Sequence, residues 1–308
     1  MTESKEFDCV GLGLCPIDYL CVVPSYPKPN EKTEAVGFSQ QGGGPVATAM
    51  VALSRLGGKA AFVGKVGADA EGEFVRAQFQ WEGVDDSRII VDKEVRTPQA
   101  FVWIDGKTGE RSIVLNRTEW EPPSWEQIDH EVLTKTRYLH IDGRFPELEI
   151  PAAEMAKANG AEIVMDVGSV REEMESFFPL VHYFVASETF FNSHFPNRTL
   201  EEGLQEILRK GPSVVVVTLG ERGAWGADRF HLHKIPAFSV PVIDTTGAGD
   251  VFHGAFIFSL LKKWDLKKQL IFASAVAALK CTQLGGRKGI PSYSETIQFL
   301  RNNGQSEF

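Results

Sequence analysis

No apolar run among the 308 residues approaches the roughly 18 positions that a membrane-crossing helix needs, so no membrane partner is expected. Cysteine is scarce. Cys9, Cys15, Cys21 and Cys281 fall in no CxxC or zinc spacing, and three of them crowd one end of the chain, which excludes a structural zinc site and predicts reduced, mostly buried thiols. Basic residues are also in deficit. With 32 Lys and Arg against 41 Asp and Glu, the net charge is -9, the opposite of the basic excess that nucleic-acid binding requires. A small anion held in a local basic pocket is still compatible with that charge. The opening MTESKEFD has neither the basic nor the apolar region of a signal peptide, so a cytoplasmic location is expected.

The composition, 43% hydrophobic and 24% charged, is that of a chain able to bury a sizeable core. FDCVGLGLC, AAFVGKVG, RYLHID, AEIVMDVG, HYFVAS and SVVVVTLG are β-branched or apolar runs bounded by turn residues and predict buried strands. Helical spacing lies between them: GPVATAMVALSRLGG stops at Gly57 and Gly58, PAAEMAKANGA at Gly160 and TLEEGLQEILRKG at Gly211. Strands alternating with helices predict an α/β domain whose largely parallel sheet is covered on both faces. Two stretches, about 15–40 and 97–118, lack helical period, and PQAFVWIDGKTGERSIVLN reads as a hairpin turning at DGKTGE. These predict a small β-sheet, a lid, attached to one domain spanning 1–308.

Glycine is where the chemistry concentrates. GLGLCP starts like a dinucleotide fingerprint but has Pro16 where the third glycine belongs. GADAEGEF has P-loop spacing from Gly67 to Gly72, yet Glu73 and Phe74 replace the required Lys and hydroxyl. DTTGAGDVFHGAF is different: Gly247, Ala248 and Gly249, with almost no side chains, precede Asp250 and an apolar helical pattern. Free N–H groups and the helix dipole make such a start an anion site. Asp250 beside it suits phosphoryl transfer, whose loose transition state needs only a weak base to aim a hydroxyl and take its proton late. The plain alternative is a helix-start acid that interacts favourably with the dipole.

IDTTGAGDVFHGAF, QGGGPVATAMVALSRLGGKAAFVGKVGADAEG, VVVTLGERGAW and AALKCTQLGGRKGIP, in this order, resemble the motifs of the ribokinase-like, or PfkB, carbohydrate kinases over nearly the whole chain. The resemblance implies a three-layer α/β/α ribokinase-like fold with a β-sheet lid, ATP and Mg²⁺ as cofactors, and a homodimer joined through the lid. It implies Asp250 as catalytic base and the N–H groups of Gly247, Ala248 and Gly249 as the hole for the transferred phosphoryl. Asp18 corresponds to the acid that grips sugar hydroxyls, and Gly43 and Gly44 to glycines against which the sugar lies. Thr218 and Gly220 correspond to the ATP-side loop, and Ala275, Ala278, Gly285 and Gly286 to the adenine surroundings. Asp244 and Thr246 stand where some members bind a monovalent cation such as K⁺.

Departures from the pattern bear on the substrate. Thr48 stands where many members have Asn. The magnesium-associated NxxE appears as SETF, with Ser187 for Asn and Phe190 for Glu, leaving Glu188 as a substitute through water or as a surface acid. GERSIVL, RYLHIDGRF and DVGSVREE resemble ketohexokinases, and GGGPVATA with ALKCTQLGGRKGIP is similar to sulfofructose kinases. That similarity implies an anion grip by Lys32, Asn116 and Arg144, against the alternative of solvated surface charges. The expectation is transfer of the ATP γ-phosphoryl to a primary hydroxyl, O1, of a ketose, with 6-deoxy-6-sulfofructose favoured. A ketohexokinase-like or fructokinase-like enzyme, a nucleoside kinase and a non-enzymatic sugar sensor stay open as alternatives.

Overall fold

Why the chain forms layers is visible in its strands, whose alternate residues enter two different cores. In the computed structural model, which describes residues 5–171 and 173–308, the strands are β1 (Phe7–Leu12), β2 (Ile17–Val23), β3 (Gly37–Gly42), β4 (Ala60–Gly67), β5 (Ile89–Asp92), β6 (Gln99–Asp105), β7 (Arg111–Asn116), β8 (Thr136–Ile141), β9 (Glu162–Val167), β10 (Tyr183–Ser187), β11 (Val214–Thr218), β12 (Ala224–Ala227) and β13 (Leu232–Ile235). The helices are α1 (Pro45–Arg55), α2 (Ala70–Trp81), α3 (His130–Thr134), α4 (Pro146–Ala158), α5 (Met174–Phe177), α6 (Glu188–His194), α7 (Leu200–Lys210), α8 (Ala248–Leu261), α9 (Leu266–Lys280) and α10 (Tyr293–Asn302).

Nine strands make one sheet in the order β13-β12-β11-β10-β9-β8-β1-β4-β5, parallel except for the reversed strand β12, which pairs antiparallel with β11 and with the edge strand β13. Cys9, Phe62, Val164, Val185 and Val216 point to one core, shared with α1, α2, α8, α9 and α10. Their neighbours Val10, Val63, Ile163, Phe184 and Val215 point to the other, shared with α3 to α7. This period of two, with both faces apolar, is what a sheet covered on both sides requires. The six runs predicted as strands are β1, β4, β8, β9, β10 and β11.

The helix ends follow the glycine signals, with Gly57 at φ 102°, Gly160 at φ 79° and Gly211 closing α7. One start differs from expectation: α4 begins at Pro146 and carries Pro151 inside it. Its first turn is anchored by the buried Glu149 carboxylate, which accepts the N–H groups of Gly143, Arg144 and Phe145 at 2.6, 3.1 and 3.1 Å. Gly67–Gly72, the segment with P-loop spacing, is a capped helix start, where Asp69 accepts Gly72 N–H at 2.8 Å and the Thr97 hydroxyl at 2.6 Å.

The two aperiodic stretches pair into a separate sheet, β3-β2-β6-β7. The DGKTGE turn joins antiparallel β6 and β7, with Asp105 accepting the N–H groups of Lys107 and Thr108. Along β6, Ala100, Val102 and Ile104 are buried while Phe101 and Trp103 are exposed, so this sheet has one covered and one open face. α8 is buried from Val251 through Leu260 and crosses α1 so closely that a Cβ on Gly254 would overlap the Ala49 carbonyl. A helix apolar all round is a central helix, and this burial fixes where its N-terminus opens.

Candidate active site

Parallel strands put their carboxyl ends on one edge of a sheet, and open α/β sheets bind ligands there. Asp142 follows β8, Asp166 and Gly168 end β9, Ser187 ends β10 and Thr218 ends β11, and all five line a cavity of about 210 Å³. Gly249, Asp250 and His253 from the start of α8 line it too, with Pro45 of α1 and with Arg144 and Arg171.

The turn before α8 is held from two directions. Asp244, fully buried, accepts Thr246 N–H at 2.8 Å and Gly285 N–H at 2.7 Å through its two carboxylate oxygens, and its carbonyl accepts the buried Lys280 Nζ at 2.8 Å. Gly247 caps the helix in the left-handed region, φ 72°, where a side chain would be strained and would also press on Gly286, 3.0 Å away. Among the described residues no acceptor serves the N–H groups of Gly247, Gly249 or Asp250. The Ala248 N–H is different from expectation: it donates to the Thr245 carbonyl at 3.2 Å, so it is spent within the turn. The free donors are therefore Gly247, Gly249 and Asp250.

Asp250 is half-buried. Loss of water around its carboxyl, followed by the nearby Asp166 charge, raises its pKa from 3.8 to about 6. Asp166 itself is paired with His253, Nε2 to Oδ1 at 3.2 Å, and His253 stacks on the buried His140 at 5.4 Å between ring centroids. Burial lowers the His140 pKa to about 4, so it is a neutral ring at physiological pH, bonded to the Val164 carbonyl at 3.0 Å.

Asp18 on β2 is buried at 9% exposure, and burial raises its pKa to about 7 against the pull of Arg287 and of Gln41. Asp250 contributes to the upward shift, which places the two carboxylates within each other's electrostatic reach. A Cβ on Gly43 would overlap the Asp18 carboxylate, and Gly44, at φ 92°, sits on the Leu14 carbonyl. Thr48 is buried and accepts Arg287 Nε at 3.3 Å.

Of the other predicted residues, Arg144 and Thr218 line the cavity and the rest do not. Lys32 lies exposed between β2 and β3 with no hydrogen bond or ion pair among the described residues, and Asn116 spends its side chain on Gln99 and Thr118. Of the three grip residues only Arg144 reaches the cavity, where it pairs with Asp142 at 3.4 Å. Glu188 points to Arg222, with which it forms an ion pair; Ser187 caps α6 and Phe190 is fully buried, so the SETF segment is helix start and core. Thr218 lines the cavity and Gly220 opens the next turn at φ 58°. Ala275 is fully buried in the core and cannot touch a nucleotide, whereas Ala278 is partly exposed. Gly285 and Gly286 are buried behind the Gly247 turn and against Gln41, so they buttress it.

Asp142, Asp166, Arg171, His253 and Arg287 were not legible as site residues. The one signal that could have found the first two is an acid at the carboxyl end of a predicted parallel strand, as in HID and VMDVG.

The family model for pfkB family carbohydrate kinases matches residues 6–292. A ribokinase of Haemophilus influenzae is 29% identical over 304 residues, covering 94% of this chain and 97% of the relative. A ketohexokinase of Mus musculus is 29% identical over 291 residues, covering 91% and 97%. The crystal structure of a ribokinase from Thermotoga maritima superposes with a TM-score of 0.82 at 25% identity, over 96% of this chain and all of that one (100%). Matched from its first strand past its last sheet strand, and carrying a free-amide helix start beside an acid at the sheet's carboxyl edge, the chain belongs to the pfkB family of carbohydrate kinases.

Proposed function

We propose that the protein transfers the γ-phosphoryl of ATP to a primary hydroxyl, O1, of a ketose. The single observation that carries this reading is the α8 start, where the free N–H groups of Gly247, Gly249 and Asp250 stand in the same turn as a raised-pKa carboxylate that lines the cavity. Asp18 accepts sugar hydroxyls and presents the alcohol to Asp250, which orients it and takes its proton. The free amides neutralise charge on the migrating group, an interaction stronger in the transition state than before it. Thr218 and Gly220 border the ATP side. Mg²⁺ bound mainly by ATP phosphates and water needs only one or two protein carboxylates; Asp166, paired with His253 through Oδ1 alone, lines the cavity and would hold it, with Asp142 beside it once released from Arg144, while Glu188 lies outside the cavity lining and is paired with Arg222. When bound, Mg²⁺ screens the phosphate charge. No monovalent cation is assigned to Asp244 and Thr246, because the Asp244 oxygens are engaged and Lys280 already supplies a positive charge there.

Arg144 with Arg171 in the cavity lining supports a ketose bearing an anionic group such as a sulfonate. A coupled ADP-release panel of fructose, 6-deoxy-6-sulfofructose, aldoses and adenosine with Mg-ATP tests this. Turnover confined to ketoses is expected, and Arg144→Ala lowers it selectively for the sulfonated one by about tenfold to a hundredfold. Preference for adenosine refutes the ketose reading.

Both acids must be ionised to act, so kcat/KM rises with pH through about 6 and about 7, the raised values of Asp250 and Asp18. A profile flat down to about pH 5 would exclude these roles.

The smaller sheet is read as a lid that excludes water from the phosphoryl group. Its open face exposes Phe38 at 63%, Trp103 at 42% and Val114 at 54%, an apolar patch suited to a second copy of the chain. Light scattering is expected to give a dimer that Trp103→Glu converts to monomer; a monomeric native protein contradicts the assignment.

A further inference from the structure

We propose that Arg287 is a positioning residue for the sugar pocket: from behind the Gly42–Gly43 backbone it holds the Gly43 carbonyl and the Thr48 hydroxyl and balances the charge of Asp18 on the other side. This rests on the reading of Asp18 as the acid that receives the sugar.

Arg287 is 2% exposed, and arginine is almost never buried to that degree without a carboxylate in contact. Among the described residues it has none within ion-pair distance, and its Nη1 has no partner. Its other groups are committed: Nη2 donates to the Gly43 carbonyl at 2.9 Å, Nε to Thr48 Oγ1 at 3.3 Å, and the guanidinium lies over the Phe79 ring at 5.3 Å. Its backbone N–H donates to Gln41 Oε1 at 3.4 Å, and its carbonyl accepts Arg55 Nη1 at 2.9 Å. An expensive buried cation is thus spent on one backbone oxygen and one hydroxyl, from residues on either side in sequence of Pro45, which lines the cavity.

The glycines explain the arrangement. A Cβ on Gly42 would overlap Arg287 Nη1, and a Cβ on Gly43 would overlap Asp18 Oδ1. The chain therefore passes between a guanidinium and a carboxylate with two bare α-carbons, and QGGG in the sequence is the record of that passage. Asp18 is faced by Arg287, Gln41 and Asp250; Arg287 is faced by Asp18, Glu82, Cys15 and Asp250, with Arg55 on its carbonyl. Burial lowers the Arg287 pKa to about 10 and raises that of Asp18 to about 7, and each restrains the shift of the other. Two residues upstream, Gly285 N–H holds Asp244 in the phosphoryl turn at 2.7 Å, so one short segment touches both halves of the site.

In Arg287→Met, kcat/KM for the preferred ketose of the panel is expected to fall about tenfold to a hundredfold through the sugar KM, with the ATP KM changed by less than about twofold. Carbon-13 NMR of labelled aspartate, with Asp18 assigned through Asp18→Asn, should show Asp18 titrating at higher pH in Arg287→Met than in the native protein. That readout needs no turnover and separates failure of this proposal from failure of the kinase reading. Arg287→Lys keeps the charge but loses the paired donors; it should leave the Asp18 titration near native and raise the sugar KM, and it serves as the test if the methionine variant does not fold. An unchanged titration in folded Arg287→Met, a loss shared equally between sugar and ATP, or a native sugar KM in Arg287→Lys overturns the proposal.

Discussion

Asp250→Asn should fold, bind ATP and sugar, and turn over about a hundredfold to ten-thousandfold more slowly, the range general-base catalysis contributes. The amide is nearly isosteric and keeps the α8 start intact, so the loss falls on kcat. The free N–H groups of Gly247 and Gly249 are untouched, and residual turnover above the uncatalysed rate is expected from them. Stability should not fall, because a carboxylate whose pKa is raised to about 6 by burial is a cost to the folded state at neutral pH. Stopped turnover and melting temperature, measured on one preparation, decide the matter; near-native kcat would remove Asp250 from the chemistry.

Asp18→Asn carries the second large effect, and it has two opposite signs. The folded pKa of about 7 lies above the ordinary 3.8, so Asp18 binds its proton more tightly folded than unfolded. Its contribution to stability is present below the unfolded value and is lost as pH rises towards the folded one. At about 1.36 kcal/mol per unit the charge costs roughly 4 kcal/mol above pH ~7. Asp18→Asn should therefore melt several degrees higher than the native protein at pH ~8, with little difference at pH ~4. Sugar affinity should fall about tenfold to a hundredfold in the same variant, as expected when charge-assisted hydrogen bonds become neutral ones. Equal melting temperatures at both pH values would mean that Asp18 is not buried as a charge. Native sugar affinity would mean that it does not hold the substrate.

These two acids were legible in the chain for different reasons. Asp250 stands out because three nearly bare residues precede it and an apolar helix follows. Asp18 emerged only by resemblance, since nothing around GLGLCPID marks an acid that will be buried beside Gly43. The hairpin at DGKTGE was equally local, fixed by turn chemistry and period-two alternation. By contrast, Ala275 carries the same small side chain as Ala278, and which of them is buried depends on how α9 is rotated against α8. Glu188 looked available for Mg²⁺ because Arg222, distant in sequence, could not be foreseen as its partner.

By itself the amino-acid order determined the layers, the six strands β1, β4, β8, β9, β10 and β11, the hairpin at DGKTGE and the glycine-rich start of α8, because each of these depends on neighbours within a few residues. The tertiary structure alone decided that Asp142 and Asp166 open on the same cavity, that Ala248 spends its amide on Thr245, and that Arg287 lies behind Gly43. The first and last of these join segments far apart in the chain, and the second is set by how the turn before α8 closes. Their energies come from burial and from which donors and acceptors end up within 3 Å or so of each other, and no local pattern encodes that distance.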